Sequence, residues 1–212
     1  MNTSFLSHLD LEETICSRHF DLEPLLPTHA PLLFASLQAK ELYTYIPFEA
    51  PKTVEELEAR YQRWSARGSA DGQEVWLNYA ICDRPKNKYV GTLQATVESA
   101  GKTYIAYEVF PPYWRCGIAS EAVSALVNYL FNQCGVKVIS AHTDTRNQAS
   151  FKLLESLGFS RMDTLQDADF FKGETSHEYV YELSEERRQK LKESSSLDDT
   201  SAQSGPHKNA KA

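Results

Sequence analysis

Several features are scarce in this chain, and each scarcity excludes a class of protein. No apolar run reaches the ~18 residues that a membrane-spanning helix needs, so no membrane span is expected. The start, "MNTSFLSHLDLEET", has neither a basic stretch nor a long apolar core, so it does not read as a secretory signal. Positive charge is in short supply: 22 Lys and Arg against 29 Asp and Glu give a net charge of −7. Phosphate backbones need a basic footprint, so nucleic acid is not expected as a partner. The acidic balance suits a cationic ligand such as an amine, and it equally serves solubility alone. The four cysteines, Cys16, Cys82, Cys116 and Cys134, lack metal-ligand spacing. They read as reduced thiols of a cytoplasmic protein with no bound metal. No long-period repeat is present.

The 212 residues suffice for one sizeable domain with extras. Residues 1–12 read as an extension, 13–183 as the domain, and 184–212 as a polar, Ser-rich tail expected to be largely disordered. Inside the domain, "TICSRHFDLEPL" reads as a first strand. "THAPLLFASLQAKEL" reads as a helix that Thr28 can cap. "KTVEELEARYQRWSARG" reads as a second helix, with Thr53 and Glu56 forming a capping box and Gly68 as its stop. Three strands follow as a meander, "EVWLNYAICD", "KYVGTLQATVES" and "TYIAYEVF". A helix over Ile118–Gln133, the strand "VKVISAHT", a helix ending at Gly158, and strands near Phe159–Gln166 and Glu178–Leu183 complete the order. The expected class is α+β, a mixed, mostly antiparallel sheet flanked by helices, with one parallel pair made by the strand–helix–strand unit.

That unit contains "PPYWRCGIASEA", Pro111–Ala122, where a strand hands over to a helix through a single glycine. A helix start presents free N–H groups and the positive end of the helix dipole, which suits a phosphate. Glycine, lacking Cβ, lets the backbone come close to it. The stretch is not a Walker loop, since no Gly-Lys-Ser/Thr follows, nor a dinucleotide fingerprint, since one glycine of three is present.

A second stretch, "NQASFKLLESLGF", opens the next strand–helix unit. Together the two resemble the GNAT N-acetyltransferases, which use acetyl-CoA as donor. Their pyrophosphate loop, Gln/Arg-x-x-Gly-x-Gly/Ala, is matched at Trp114, Gly117 and Ala119, with Trp in the Gln/Arg place. Asn147, Ala149, Ser150, Glu155, Leu157, Gly158 and Phe159 match the second signature. The resemblance spans roughly residues 12–183 and is greatest to the branch of the ribosomal-protein N-terminal acetyltransferases. It implies the GNAT fold, with a V-shaped gap between "TYIAYEVF" and "VKVISAHT". The pantetheine arm would lie in that gap and pair with backbone at Val109. The N–H groups of Arg115, Cys116, Gly117, Ile118, Ala119 and Ser120 would receive the pyrophosphate, and Asn147 and Ser150 would assist. The acceptor would be a primary amine, a protein N-terminus or a small molecule such as an antibiotic, polyamine or amino acid. Residues 42–50 and the helix after Thr53 would form its side of the site. A monomer or a homodimer is compatible, and so is a non-catalytic acetyl-CoA sensor.

Acetyl transfer needs a neutral amine. A lysine with pKa about 10.4 is roughly 0.1% neutral near pH 7.4, whereas an α-amine near 7.7–8.0 is already tens of per cent neutral. Three residues are candidates for moving the protons. His142 precedes Asn147 by five residues, a place where some relatives carry a glutamate base. Glu108 lies on the strand that would border the acetyl group. Tyr107 is its neighbour and reads chiefly as a packing residue. Two family positions depart: Thr103 stands where histone-type relatives place a base, and Leu154 where many carry a tyrosine acid. No cysteine is suited to a covalent intermediate, so direct transfer in a ternary complex is expected.

Overall fold

The computed structural model describes residues 10–202. Its strands are β1 (Ile15–Cys16), β2 (Phe20–Pro24), β3 (Glu74–Asp83), β4 (Lys88–Glu98), β5 (Thr103–Val109), β6 (Val138–Asp144), β7 (Ser160–Phe171) and β8 (Glu174–Ser184). Its helices are α1 (Ala30–Leu33), α2 (Val54–Trp64), α3 (Ile118–Asn132), α4 (Gln148–Ser156) and α5 (Glu185–Ala202). The strands form one eight-stranded sheet in the order β1-β2-β3-β4-β5-β6-β8-β7. All neighbours are antiparallel except β5 and β6, which are parallel. This is the expected mixed sheet, with α3 as the crossover between its parallel strands.

Strand alternation sends side chains to two separate cores. Val75, Leu77, Tyr79 and Ile81 of β3 and Ile105 and Val109 of β5 meet Ile118, Ala122, Leu126 and Leu130 of α3 on one face. The other face is smaller. There Ala80 and Phe110 pack with Leu33 of α1 and with Leu57 and Tyr61 of α2. Full burial of a side chain such as Leu126 or Leu57 contributes about 2 kcal/mol. Thr53 caps α2 as expected, its side chain accepting from the Glu56 N–H at 3.2 Å. The Glu56 carboxylate reaches back to the Lys52 N–H rather than to Thr53.

Five local expectations are corrected. The first strand is broken by a turn at Ser17, whose hydroxyl donates to the Phe20 carbonyl at 2.8 Å, so β1 and β2 form a hairpin. The helix expected from Thr28 is instead a chain of short pieces: 3-10 turns at Pro27–His29, Ser36–Gln38 and Lys40–Tyr43 around the single-turn α1. Pro31 has no N–H with which to close a turn. Thr28 caps nothing; buried His29 accepts the Leu26 N–H on its Nδ1 at 3.0 Å. Gly68 does not end α2, which stops at Trp64; Arg67 takes the left-handed φ of 58° and sends its buried guanidinium to Glu12 and the Asn78 carbonyl. The last two strands extend well past their expected bounds and meet in a long hairpin at Lys172 and Gly173.

The fifth correction concerns the polar segment after residue 183, which enters α5 rather than leaving the domain. Arg188 lies over the Phe131 ring at 5.1 Å and donates to Asn128 and Asn132, and Arg187 donates to the Gly158 carbonyl. A charged residue with few apolar neighbours in sequence thus becomes buried through amide partners on α3. Residues 203–212 of the expected tail, and residues 1–9 of the expected extension, lie outside the described residues.

One side chain in this fold predicts a stability gain. Among the described residues, the buried Thr103 Oγ1 has no hydrogen-bond partner. An unsatisfied buried hydroxyl costs about 1–3 kcal/mol, so Thr103→Val should stabilise the protein by about 1 kcal/mol. For a chain of this size the melting temperature should rise by about 3 °C, read by thermal denaturation. A fall would mean that a bound water satisfies the hydroxyl.

Candidate active site

The site is organised by where β5 and β6 part. They pair only at Tyr104↔Ser140, near the start of β5. From there β5 stays on β4 up to Gly91↔Val109, and β6 stays on β8 up to Asp144↔Glu178. The two strands therefore open toward their C-terminal ends, next to the starts of α3 and α4.

The α3 start is a bare helix terminus. Gly117 is its N-cap in the left-handed conformation, φ 78°, with no side-chain cap. Arg115 is also left-handed, φ 61°. The first helical bond runs from the Glu121 N–H to the Gly117 carbonyl at 3.1 Å, so the N–H groups of Ile118, Ala119 and Ser120 precede the ladder. Ile118 is buried and anchors the turn, whereas Arg115, Cys116 and Gly117 are exposed. A Cβ built on Gly117 would meet nothing within 4 Å. This geometry fits an anion at the loop. The one carboxylate in the first turn, Glu121, is engaged elsewhere. It accepts from Ser17 Oγ and the His19 N–H, both at 2.6 Å, and pairs with His19 Nδ1 at 2.9 Å. Burial pushes its pKa up, but these bonds outweigh it and hold the carboxyl at about 2.

Trp114 gains a role that its sequence context does not suggest. Its indole N–H donates to the Val109 carbonyl at 2.5 Å, tying the loop to the end of β5. A ligand pairing along Val109 has the second lone pair of that carbonyl available.

Across the opening, Asn147 caps α4 and its Oδ1 accepts the Ser150 N–H at 3.1 Å. Ser150 also meets β5: the Tyr107 hydroxyl lies 3.0 Å from Ser150 Oγ and 3.3 Å from the Ser150 carbonyl. Leu154, one turn further along α4, is fully buried and is apolar.

Consecutive residues of a strand point to opposite faces. Tyr107 faces α4, so Glu108 faces α2. Thr92 Oγ1 donates to Glu108 Oε1 at 2.9 Å. Burial raises the Glu108 pKa above the ordinary carboxylate value, while Thr92 and the charge of Arg60 on α2 lower it in part. Tyr43 and Tyr61 stand in the same field. Burial and the nearby Glu108 charge raise the Tyr43 phenol to about 12 and raise the Tyr61 phenol too. His142 shares this face, edge-on to Tyr104 with ring centroids 6.0 Å apart, and its Nδ1 lies 3.2 Å from Glu178 Oε2. It lies beside the closed end of the opening, with Glu108 four residues past Tyr104 toward the mouth.

On the α2 side of the opening stands Tyr43, close enough to Glu108 to feel its charge. The Tyr43 hydroxyl donates to the Leu37 carbonyl at 2.8 Å, and Lys172 at the β7–β8 hairpin tip donates to the Tyr43 carbonyl. Phe48, five residues further along the chain than Tyr43, is 67% exposed.

The structure thus gathers the sequence-selected residues into two groups. Val109, Arg115–Ser120, Asn147 and Ser150 lie where the opening meets α3 and α4. Glu108 and His142 lie on the opposite face, each with its own partner. Thr92, Arg60 and Tyr61 around Glu108, and the contact of Tyr107 with Ser150, join segments distant in sequence, and no motif announced them. A groove of about 720 Å³ runs along the other flank of α3, lined by Cys16, Arg18, Ser124 and Asn128 and, at the helix start, by Gly117 and Ser120.

The family model "Acetyltransferase (GNAT) domain" matches residues 19–160. The chain is 27% identical over 164 residues to "Uncharacterized N-acetyltransferase YoaA" of Bacillus subtilis, covering 76% of this chain and 91% of that protein. Among solved structures, RimL, a ribosomal L7/L12 alpha-N-protein acetyltransferase crystallised with coenzyme A, superposes with a TM-score of 0.72 at 19% identity, covering 81% of this chain and 98% of that one. A GNAT-family acetyltransferase from Bacillus anthracis superposes with a TM-score of 0.70 at 20% identity, covering 82% and 99%.

Proposed function

Because this chain belongs to the acetyltransferase (GNAT) domain family, we propose that it moves the acetyl group of acetyl-CoA directly onto a protein N-terminal α-amine. The observation that carries this reading is the opening between β5 and β6, with a bare helix start on one face and a desolvated carboxylate on the other. The donor supplies an activated thioester carbonyl. The N–H groups of Ile118, Ala119 and Ser120 bind its pyrophosphate, with Arg115 beside them. The Val109 backbone, Asn147 and Ser150 orient its arm, so that the carbonyl reaches the opening from the α3–α4 side.

The amine enters from the α2 side, past Tyr43 and the Lys172 hairpin tip. Its nitrogen attacks the carbonyl carbon and the C–S bond breaks. Glu108 takes the proton that the nitrogen sheds. An α-amine near pKa 7.7–8.0 is already substantially neutral, so a carboxylate with a raised pKa is base enough; a lysine near 10.4 would ask for more. Support for an α-amine also comes from the RimL structure, whose protein acetylates the α-amine of L7/L12 as its name states.

The test is free-thiol release from acetyl-CoA over a panel of acceptors. The panel holds peptides with free N-termini, the same peptides blocked at the N-terminus but carrying lysine, and small amines including a polyamine, an amino acid and an aminoglycoside. Release with free-N-terminal peptides alone is expected. Release with the small amines and none with peptides would overturn the choice of acceptor.

A further inference from the structure

Two events accompany amide formation at the thioester, and they occur on opposite sides of the reacting carbonyl. The amine loses a proton on one side, and on the other the thiolate leaves with the C–S electron pair. Resting on the function proposed above, the structure offers a residue for each. Glu108 and Tyr107 are adjacent on β5, so one faces the α2 side and the other the α3–α4 side. Glu108 meets the amine. We propose that the Tyr107 hydroxyl is a second catalytic group, donating a hydrogen bond to the thiolate sulfur as the C–S bond breaks.

Three observations support this. The Tyr107 hydroxyl spans the opening to the start of α4, where it has two alternative partners on one residue, Ser150 Oγ at 3.0 Å and the Ser150 carbonyl at 3.3 Å. A hydroxyl with two such partners can turn to a third acceptor while the Ser150 hydroxyl still donates to its oxygen. Leu154, the next α4 residue on that side, is apolar and fully buried and has no proton to offer. Finally, burial raises the phenol to about 12, although the bond with Ser150 lowers it in part. The hydroxyl therefore stays protonated throughout the working range. It is a weaker acid than a thiol near 8.5, so it stabilises the thiolate by a hydrogen bond without surrendering its proton. The thiolate keeps the bonding pair and is protonated by water after release. The amine proton leaves through Glu108, so the balance closes without a further reactant.

The experiment is Tyr107→Phe, which keeps the ring packed against the core and removes only the hydroxyl. Four quantities are compared with the parent protein: kcat, the KM for the acceptor peptide, the Kd for acetyl-CoA by calorimetry, and the pH dependence of kcat. The expected result is a kcat lower by roughly 10- to 100-fold, the worth of one hydrogen bond to a charged atom. Kd and KM should stay within about 2-fold, and the low-pH limb set by Glu108 should not move. An unchanged kcat overturns the proposal while the proposed function stands. A kcat loss matched by a weakened Kd overturns it in favour of a packing role. If the parent protein itself releases no thiol with any acceptor, the proposed function fails and takes this proposal with it.

Discussion

Glu108→Gln is expected to lower kcat by about 10²- to 10⁴-fold, the usual contribution of a positioned base. The substitution is conservative in shape. Gln retains an oxygen at Oε1 that can accept the Thr92 hydroxyl proton, so the link between β4 and β5 survives. What is lost is the ability to take a proton on the α2 face. The pH dependence carries the sharper signature. Burial holds the Glu108 carboxyl above the ordinary glutamate value of about 4.3, so below its raised pKa the parent protein carries a protonated, inactive base. Its kcat should therefore fall with acid along a limb lying above the ordinary carboxylate range, and that limb should vanish in Glu108→Gln. The linkage to stability has the opposite sign from that of a salt-bridged carboxylate. The folded state prefers the protonated form, so stability is greatest below the unfolded pKa and declines as pH rises through the folded one. Glu108→Gln should remove that decline. If Glu108→Gln keeps its rate and His142→Ala loses it, the base is His142, supported by Glu178.

Gly117→Glu should weaken acetyl-CoA binding by about 10³-fold. Two unit charges ~4 Å apart at a protein surface interact by about 4 kcal/mol, and a glutamate at the N-cap places its charge against the pyrophosphate. The backbone also objects. At φ 78° a side chain costs roughly 1 kcal/mol. That part is a folding cost and is modest, because the space around Gly117 is open. Gly117→Ala separates the two effects: it carries the backbone cost without the charge, and should bind far better than the glutamate variant. Calorimetric titration with acetyl-CoA reads the difference. Equal binding by the glutamate variant and the parent would remove the pyrophosphate from this loop.

The two helix starts proposed to hold the donor were legible in the sequence because their determinants are local. The bare helix start at Gly117 follows from a strand, a glycine and an apolar helix in succession, and the Asn147 cap from one polar residue before another helix. The meander was legible for the same reason, since β3, β4 and β5 alternate between two faces apart from one register shift of β3 on β4 at Ile81 and Cys82. The regions that departed are those where long-range contacts decide. The piecewise helix before α2 is set by Pro27 and Pro31 and by His29, whose Nε2 approaches Glu23 on β2 at 3.5 Å. The docking of α5 depends on Asn128, Asn132 and Phe131, some sixty residues upstream. The surroundings of Glu108 come from β4, α2 and the Tyr43 turn, which only the folded chain brings together. A carboxylate in "TYIAYEVF" could be read as a strand residue, but its raised pKa could not.

The central claim is that the donor lies in the opening between β5 and β6, with its phosphates on the α3 start. Amide hydrogen exchange with and without acetyl-CoA tests it most directly. The account predicts slower exchange at Val109, at Arg115–Ser120 and at the first turn of α4, with Ile15–Arg18 unaffected. Protection of Ile15–Arg18 and of the middle of α3, with none at Val109 or Ser150, would put the donor in the groove on the other flank of α3 and contradict it.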